Sequence, residues 1–272
     1  MSARLRPKAW GQVKPTPGYG IDWGHPLAKD LLLCYLFNGV GGLPTNVARG
    51  RRASAVSGAT WGVSLGGESL NFSTGADSFS DTVVPAELQL AATDPFTIEV
   101  IVYVTATPSL SYYFGIGSDP NSAPTGGTRR SLFSFGGAAN DHIYFWGENQ
   151  DLDSGISWRT DGSKQHVVVT SDGTGNFDSM FFYRDGFQIG YGQTPATLIT
   201  CTGEVWAGSH HPSGTNAPTM RMTKAALYKR KLTKDEVTWL YQEPYAMVVP
   251  LAMYSSGQPS PIVVHQIHQA VR

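Results

Sequence analysis

Charge is scarce in this chain: Asp, Glu, Lys and Arg together make up 15% of 272 residues, and they nearly cancel, leaving a formal net charge of −1. With a pI near 6.6, bulk electrostatics gives it no pull toward nucleic acid or acidic membranes, and no interleaving of basic and aromatic residues makes up for that. Cysteine is nearly absent. Cys34 and Cys201 both sit in apolar, strand-like runs, LLLCYLF and LITCTGE, so they read as buried free thiols rather than a disulfide scaffold. No run of eighteen apolar residues occurs, hence no membrane-spanning helix is expected, and no apolar stretch follows Met1, hence no secretory signal. Long helical periodicities are missing too. With 31 glycines and 17 prolines, the composition favours many short strands joined by turns.

The strand signals are strong. Residues 96–105, FTIEVIVYVT, alternate so that Phe96, Ile98, Val100, Val102 and Val104 share one face, while Thr97, Glu99, Ile101, Tyr103 and Thr105 share the other. The first set is expected to line a core; the second is half apolar and is expected to be partly covered. Leu31–Phe37 is a continuous apolar run and predicts a central strand covered on both faces. Further strands are expected near Trp61, at Ser69–Phe72, around Val83, at Tyr112–Ile116, Ser131–Phe135, His142–Trp146 and Gly155–Trp158, and near Leu198 and Val205. The residues ENQDLDSG, 148–155, read as a polar loop. Within KQHVVVTSDGTGNFDSMFFYRDG, Lys164–Gly186, two strand-like runs flank a polar connection. Asp172-Gly173 and Asp185-Gly186 stand where the chain must reverse, and Phe187–Tyr191 continues the meander. One helix is predicted, Thr233–Gln242: Thr233 and Glu236 form a capping box, Val237, Leu240 and Tyr241 a buried stripe, and Pro244 the stop.

The central hairpin, with its apolar run, Thr, Asp-Gly, polar loop, apolar-Tyr step and second Asp-Gly, resembles the core of laminin-G-like domains, the lectin and glucanase jelly rolls of the concanavalin A type. MTKAALYKRKLTKDEVTWLY, Met222 to Tyr241, is similar to that family's closing strand and short helix. The opening IDWGHPLAKDLLLCYLFN, Ile21–Asn38, and the ending EPYAM, Glu243–Met247, resemble phage-encoded members. The resemblance covers about residues 21–250. It implies an all-β, two-sheet antiparallel jelly-roll sandwich with one short C-terminal helix, flanked by extended arms at 1–20 and 251–272. Arg4, Arg6, Lys8 and Lys14 precede the first acidic residue, Asp22, so the first arm reads either as a solvated tail or as one that docks on an acidic partner.

The fold invites glycoside hydrolysis, which needs two carboxylates roughly 5–9.5 Å apart. The resemblance implies a Glu-x-Asp-x-x-Glu pattern for that role, yet none of the seven glutamates has an aspartate two residues on, and Glu99 stands alone in the long strand. The string GVSLG, Gly62–Gly66, lacks the following helix of a nucleophile elbow. No enzymatic activity is expected. The resemblance implies calcium as the only candidate cofactor, with Asp151 and Asp153 as ligands beside Glu148 and Asn149; Asp172, Asn176 and Asp178 form a second oxygen-rich group, and each group reads more simply as a solvated turn. Thr223 and Lys224 stand where the family often carries an Asp-Glu pair, so any role of that pair is absent. The histidine pairs His210-His211 and His265/His268 lack companion ligands.

For a glycan, Trp146, Trp158 and Tyr191 would provide stacking surfaces and Asn149 hydrogen bonds; the two tryptophans read more simply as core residues. The function implied is a structural and adhesive protein of a tailed-phage virion, a capsid decoration or head/tail accessory protein. It would be made in the host cytoplasm and attached to other virion proteins and to itself through its arms. A carbohydrate-binding lectin module is the alternative. The IVVHQIHQAVR ending reads as a stretch able to add a strand to a partner.

Overall fold

The computed structural model describes residues 14–15, 18–39, 41–64, 67–73, 77–82, 88, 90–91, 93–107, 111–117, 132–137, 141–147, 150–174, 179–192, 204–208 and 218–250. Two antiparallel sheets stack face to face. The expected strands around Val83 and Leu198, the residues Cys201, Asn149, Glu148, Asn176, Asp178, His210, His211, His265 and His268, and most of both arms lie outside the described residues.

In chain order the elements are β1 (Tyr19–Ile21), β2 (Leu31–Tyr35), β3 (Thr45–Asn46), β4 (Arg51–Arg52), β5 (Ala55–Ser57), β6 (Thr60–Ser64), β7 (Gly67–Phe72), β8 (Ser78–Asp81) and β9 (Phe96–Ala106). These are followed by β10 (Ser111–Gly117), β11 (Leu132–Gly137), β12 (His142–Gly147), β13 (Gln150–Ser157), β14 (Lys164–Ser171), β15 (Phe181–Arg184) and β16 (Phe187–Tyr191). The chain closes with β17 (Glu204–Gly208), β18 (Thr219–Tyr228), α1 (Lys234–Gln242) and β19 (Val248–Pro250). One sheet runs β13-β12-β11-β10-β17-β8-β5. The other runs β16-β15-β14-β9-β18-β2-β3-β4, with β7 also pairing β18 and carrying β6 at its side. No helix among the described residues is long and apolar enough to cross a membrane.

The alternation in β9 does what the period of two requires. Phe96, Ile98, Val100, Val102 and Val104 are fully buried between the sheets, facing Phe114, Ile116 and Phe145 of the opposite layer. The hairpin between β15 and β16 is a two-residue turn with Asp185 at φ 53° and Gly186 at φ 81°, the pair of positive angles that matches the twist of the flanking strands. Gly173 is required where it stands, since a side chain there would lie 2.6 Å from the Thr93 carbonyl.

A second apolar cluster covers the outer face of the larger sheet, where Leu232, Val237, Leu240 and Met247 pack over Val168, Ala226 and Tyr228. The predicted helix is present, with both halves of its capping box formed between Thr233 and Glu236. Val237 and Leu240 are buried, while Tyr241 is half-buried, beside Gly186 and stacked on His166.

The polar loop expected over residues 148–155 is corrected. Gln150–Ser157 is the edge strand of the smaller sheet, paired antiparallel with β12, so Asp153 and Ser157 are exposed from a strand. The start of the expected N-terminal arm is corrected as well, because Lys14 donates to the carbonyls of Phe37 and Glu68. Asn38 donates to the Pro15 carbonyl at 2.8 Å and accepts from the Tyr19 hydroxyl. β1 then pairs with β19, Tyr19 opposite Pro250 and Ile21 opposite Val248. A seat on its own sandwich therefore holds Lys14 and Pro15 ahead of β1.

Candidate functional site

Two groups of polar residues stand out, one open and one sealed. The open one lies on β12 and β13. In β12, Ile143 and Phe145 are buried while His142 and Tyr144, which alternate with them, are half-buried, so alternate residues look away from the core. Cross-strand register sets Tyr144 opposite Asp153 and Trp146 opposite Asp151. The Asp153 carboxylate accepts from His142 Nδ1 at 2.9 Å, from the Tyr144 hydroxyl at 2.9 Å and from the Gly155 backbone N–H at 2.7 Å. Desolvation, the largest single influence, raises its pKa, but the hydrogen bonds from Gly155, His142 and Tyr144 together outweigh it and hold the carboxyl below the usual range. Continuing across the sheet, one row reads Asp151, Trp146, Ser134, Gly115, Trp206, Ser80, Ala55.

The expected glycan residues are thus divided. Trp146 and Asp151 are neighbours in register, and their side chains lie outside the described residues, as does all of Asn149. Tyr191 ends β16 and is 53% exposed, but it belongs to the other sheet. Trp158 is a correction. Its backbone N–H bonds the Asp141 carbonyl just past the end of β13, and its ring is buried, stacked on Tyr113 with centroids 4.0 Å apart. It packs the core and offers no face to a sugar. Of the residues expected around calcium, Glu148, Asn149 and the Asp151 side chain lie outside the described residues, and the Asp153 carboxylate accepts three hydrogen bonds from its own strand pair. His142 and Tyr144 were not singled out beforehand, although their alternation in HIYFWG marks them.

The sealed group centres on Glu99. This residue is fully buried on the outer face of β9, and its carboxylate accepts from Lys224 Nζ at 2.7 Å and from the Tyr228 hydroxyl at 3.4 Å, with His166 Nε2 at 3.1 Å. Lys224 also donates to the Pro244 carbonyl at 2.8 Å. Burial by itself would raise the Glu99 pKa, but the Lys224 ammonium and the His166 bond bring it down to about 2. A register shift in β18 between Met222 and Lys224 produces this arrangement: Met220 and Met222 face the inner core before it, Ala225 and Leu227 after it, and Lys224 turns to the outer side. So Glu99 has a partner, but a cation; its site is closed to substrate. Cys34 is a buried free thiol, as expected.

Comparison with known proteins places this architecture. A laminin-G-type family model, described as the concanavalin A-like lectin/glucanases superfamily, matches residues 75–238. The chain belongs to that family. No curated protein matches it. Among solved structures, Trypanosoma rangeli sialidase in complex with sialic acid aligns at a TM-score of 0.55 and 18% identity, over 78% of this chain and 33% of the sialidase. This chain therefore spans about a third of that enzyme's length. The binding domain of Paraclostridial Mosquitocidal Protein 1 aligns at 0.55 and 10% identity, over 78% of this chain and 52% of that one. Domain 4 of AbnA, an extracellular arabinanase from Geobacillus stearothermophilus in complex with arabinotriose, aligns at 0.55 and 14% identity, over 78% of this chain and 98% of the domain. At these identities the likeness is one of fold.

Proposed function

We propose that this chain is a non-catalytic structural and adhesive protein of a tailed-phage virion, a capsid decoration or head/tail accessory protein, attached through its two tails. The observation that supports this reading is the β1–β19 pairing: Tyr19 lies opposite Pro250, so the N-terminal segment leads, past the Lys14 seat, into a strand beside the exit of the C-terminal one, and both can reach one surface while the sandwich stands outward. The basic residues Arg4, Arg6 and Lys8 suit an acidic protein partner. The test is mass spectrometry of purified virions from cells carrying this coding sequence. Chains lacking residues 1–13 or 251–272 are expected to fold and to be lost from the particles; a full-length chain found only in the free soluble fraction overturns the proposal.

A second reading, glycan binding, draws on the outward row of β12 and β13, where His142, Tyr144 and Asp153 adjoin the register positions of Trp146 and Asp151. The arabinotriose complex of the AbnA domain, nearly all of which this fold covers, makes an arabino-oligosaccharide the first ligand to try. Calorimetry with arabinotriose, and its loss in Trp146→Ala but not Trp158→Phe, supports that reading; no heat at millimolar sugar removes it.

A further inference from the structure

Every sheet edge exposes unpaired N–H and C=O groups that invite another strand, and most edges of this sandwich carry a device against it. β13 and β16 close one flank against each other: a side chain added at Gly190 would lie 3.1 Å from the Ser154 carbonyl. β4 is two arginines long. β5 has three residues, and β19 ends in proline. β6 differs. It has five residues, TWGVS, with no charge and no proline, and among the described residues it pairs with β7 alone. Val63 within it is 78% exposed, the most exposed large apolar residue among those described.

We infer that β6 is a self-association edge, where two copies of this chain pair antiparallel about a two-fold axis through Gly62 and join their larger sheets into one. The sequence of the strand is self-complementary in that register. Gly62 meets Gly62 of the second copy on the axis, Thr60 meets Ser64, and Trp61 meets Val63 on both sides of it. Each exposed Val63 is then covered by a half-buried tryptophan of the second copy, an aromatic and β-branched cross-strand pair. The charges agree with it. The one acidic residue nearby, Glu68, stands opposite Val63 on β7, so each row across the joint reads Glu68, Val63, Trp61, Leu70, with a single carboxylate per row. An equivalent joint at β4 would set arginine against arginine. A two-fold dimer is the commonest closed assembly, and one five-residue edge buries less than a standard interface of roughly 1,600 Å², so the dimer is concentration-dependent, with a dissociation constant on the order of micromolar. This inference stands apart from the proposed virion role, since it uses neither tail.

Sedimentation velocity of the full chain from ~2 to ~200 µM tests it. Wild type is expected to pass from monomer to dimer, while Val63→Lys, at an exposed site with unchanged melting temperature, stays monomeric through the range. Thr60→Cys and Ser64→Cys chains, mixed and oxidised, are expected to form a crossed disulfide dimer well above the yield of either alone. A wild type that remains monomeric at the highest concentration overturns the inference. So does a dimer that survives Val63→Lys, one that disappears only when residues 251–272 are removed, or equal cross-linking by each cysteine chain alone.

Discussion

The two faces of the larger sheet are built from the same strands and are held together differently. Toward the other sheet, β9 and β18 present Ile98, Val100, Val102, Met222, Ala225 and Leu227, all buried and all apolar. Away from it, the same strands present Glu99, Lys224 and Tyr228, equally buried, under the helix and the segment that follows it. The inner face is stabilised by area and packing, which tolerate exchange among apolar residues of similar volume. The outer face depends on partners being present together, because a buried charge left alone costs more than a pair contributes. It also has a directional role, since Lys224 ties the Pro244 carbonyl and so positions the segment leading into β19.

The largest expected effect that tests this contrast comes from Lys224→Met, which strands Glu99 in a closed site. A loss of about 3–5 kcal/mol in urea unfolding is expected, with Glu99→Gln in the same chain restoring most of it. On the inner face Ile98→Ala should cost about 2–5 kcal/mol, and no second polar substitution should recover any of it. If both faces respond to rescue alike, the contrast fails.

Acid should separate the faces next. The Glu99 carboxyl has a folded pKa of about 2 against 4.5 for the free group. Being depressed, it contributes stability that is present above pH 4.5 and lost as the pH falls toward 2, amounting to about 3 kcal/mol. Denaturant melts between pH 6 and 2.5 are expected to show that loss in wild type and a flatter profile in Glu99→Gln.

Trp158→Ala sharpens the assignment of aromatic residues. As a core ring stacked on Tyr113, its removal should cost about 3–5 kcal/mol by chemical denaturation, whereas Tyr191→Ala, at an exposed strand end, should stay within about 0.5 kcal/mol. The smallest effect is expected from Thr233→Ala, which removes one half of the capping box over the outer face. A drop of about 1 kcal/mol, read as a lower melting temperature, is expected.

How much of this was legible in the sequence follows the range of each interaction. The alternation of β9, the Asp185-Gly186 turn and the Thr233/Glu236 cap are local, and each is where the residues place it. The Glu99–Lys224 pair joins residues 125 positions apart, and it exists because a register shift at Thr223 turns Lys224 outward. Nothing in MTKAALY announces that shift. Glu99 accordingly read as solitary, and Lys224 as a mere departure from the family's acidic pair. The polar run 148–155 reads as a loop because a solvated edge strand and a loop share a composition; only the facing residues of β12 tell them apart. Trp158 and Trp146 carry the same residue type beside polar stretches, and it takes the closing turn onto Asp141 to send Trp158 inward.

The adjacency of Tyr19 and Pro250 has a consequence of another kind. A folded unit whose first and last strands pair with each other brings its two ends toward one side, which suits it to splicing into a surface loop of an unrelated host.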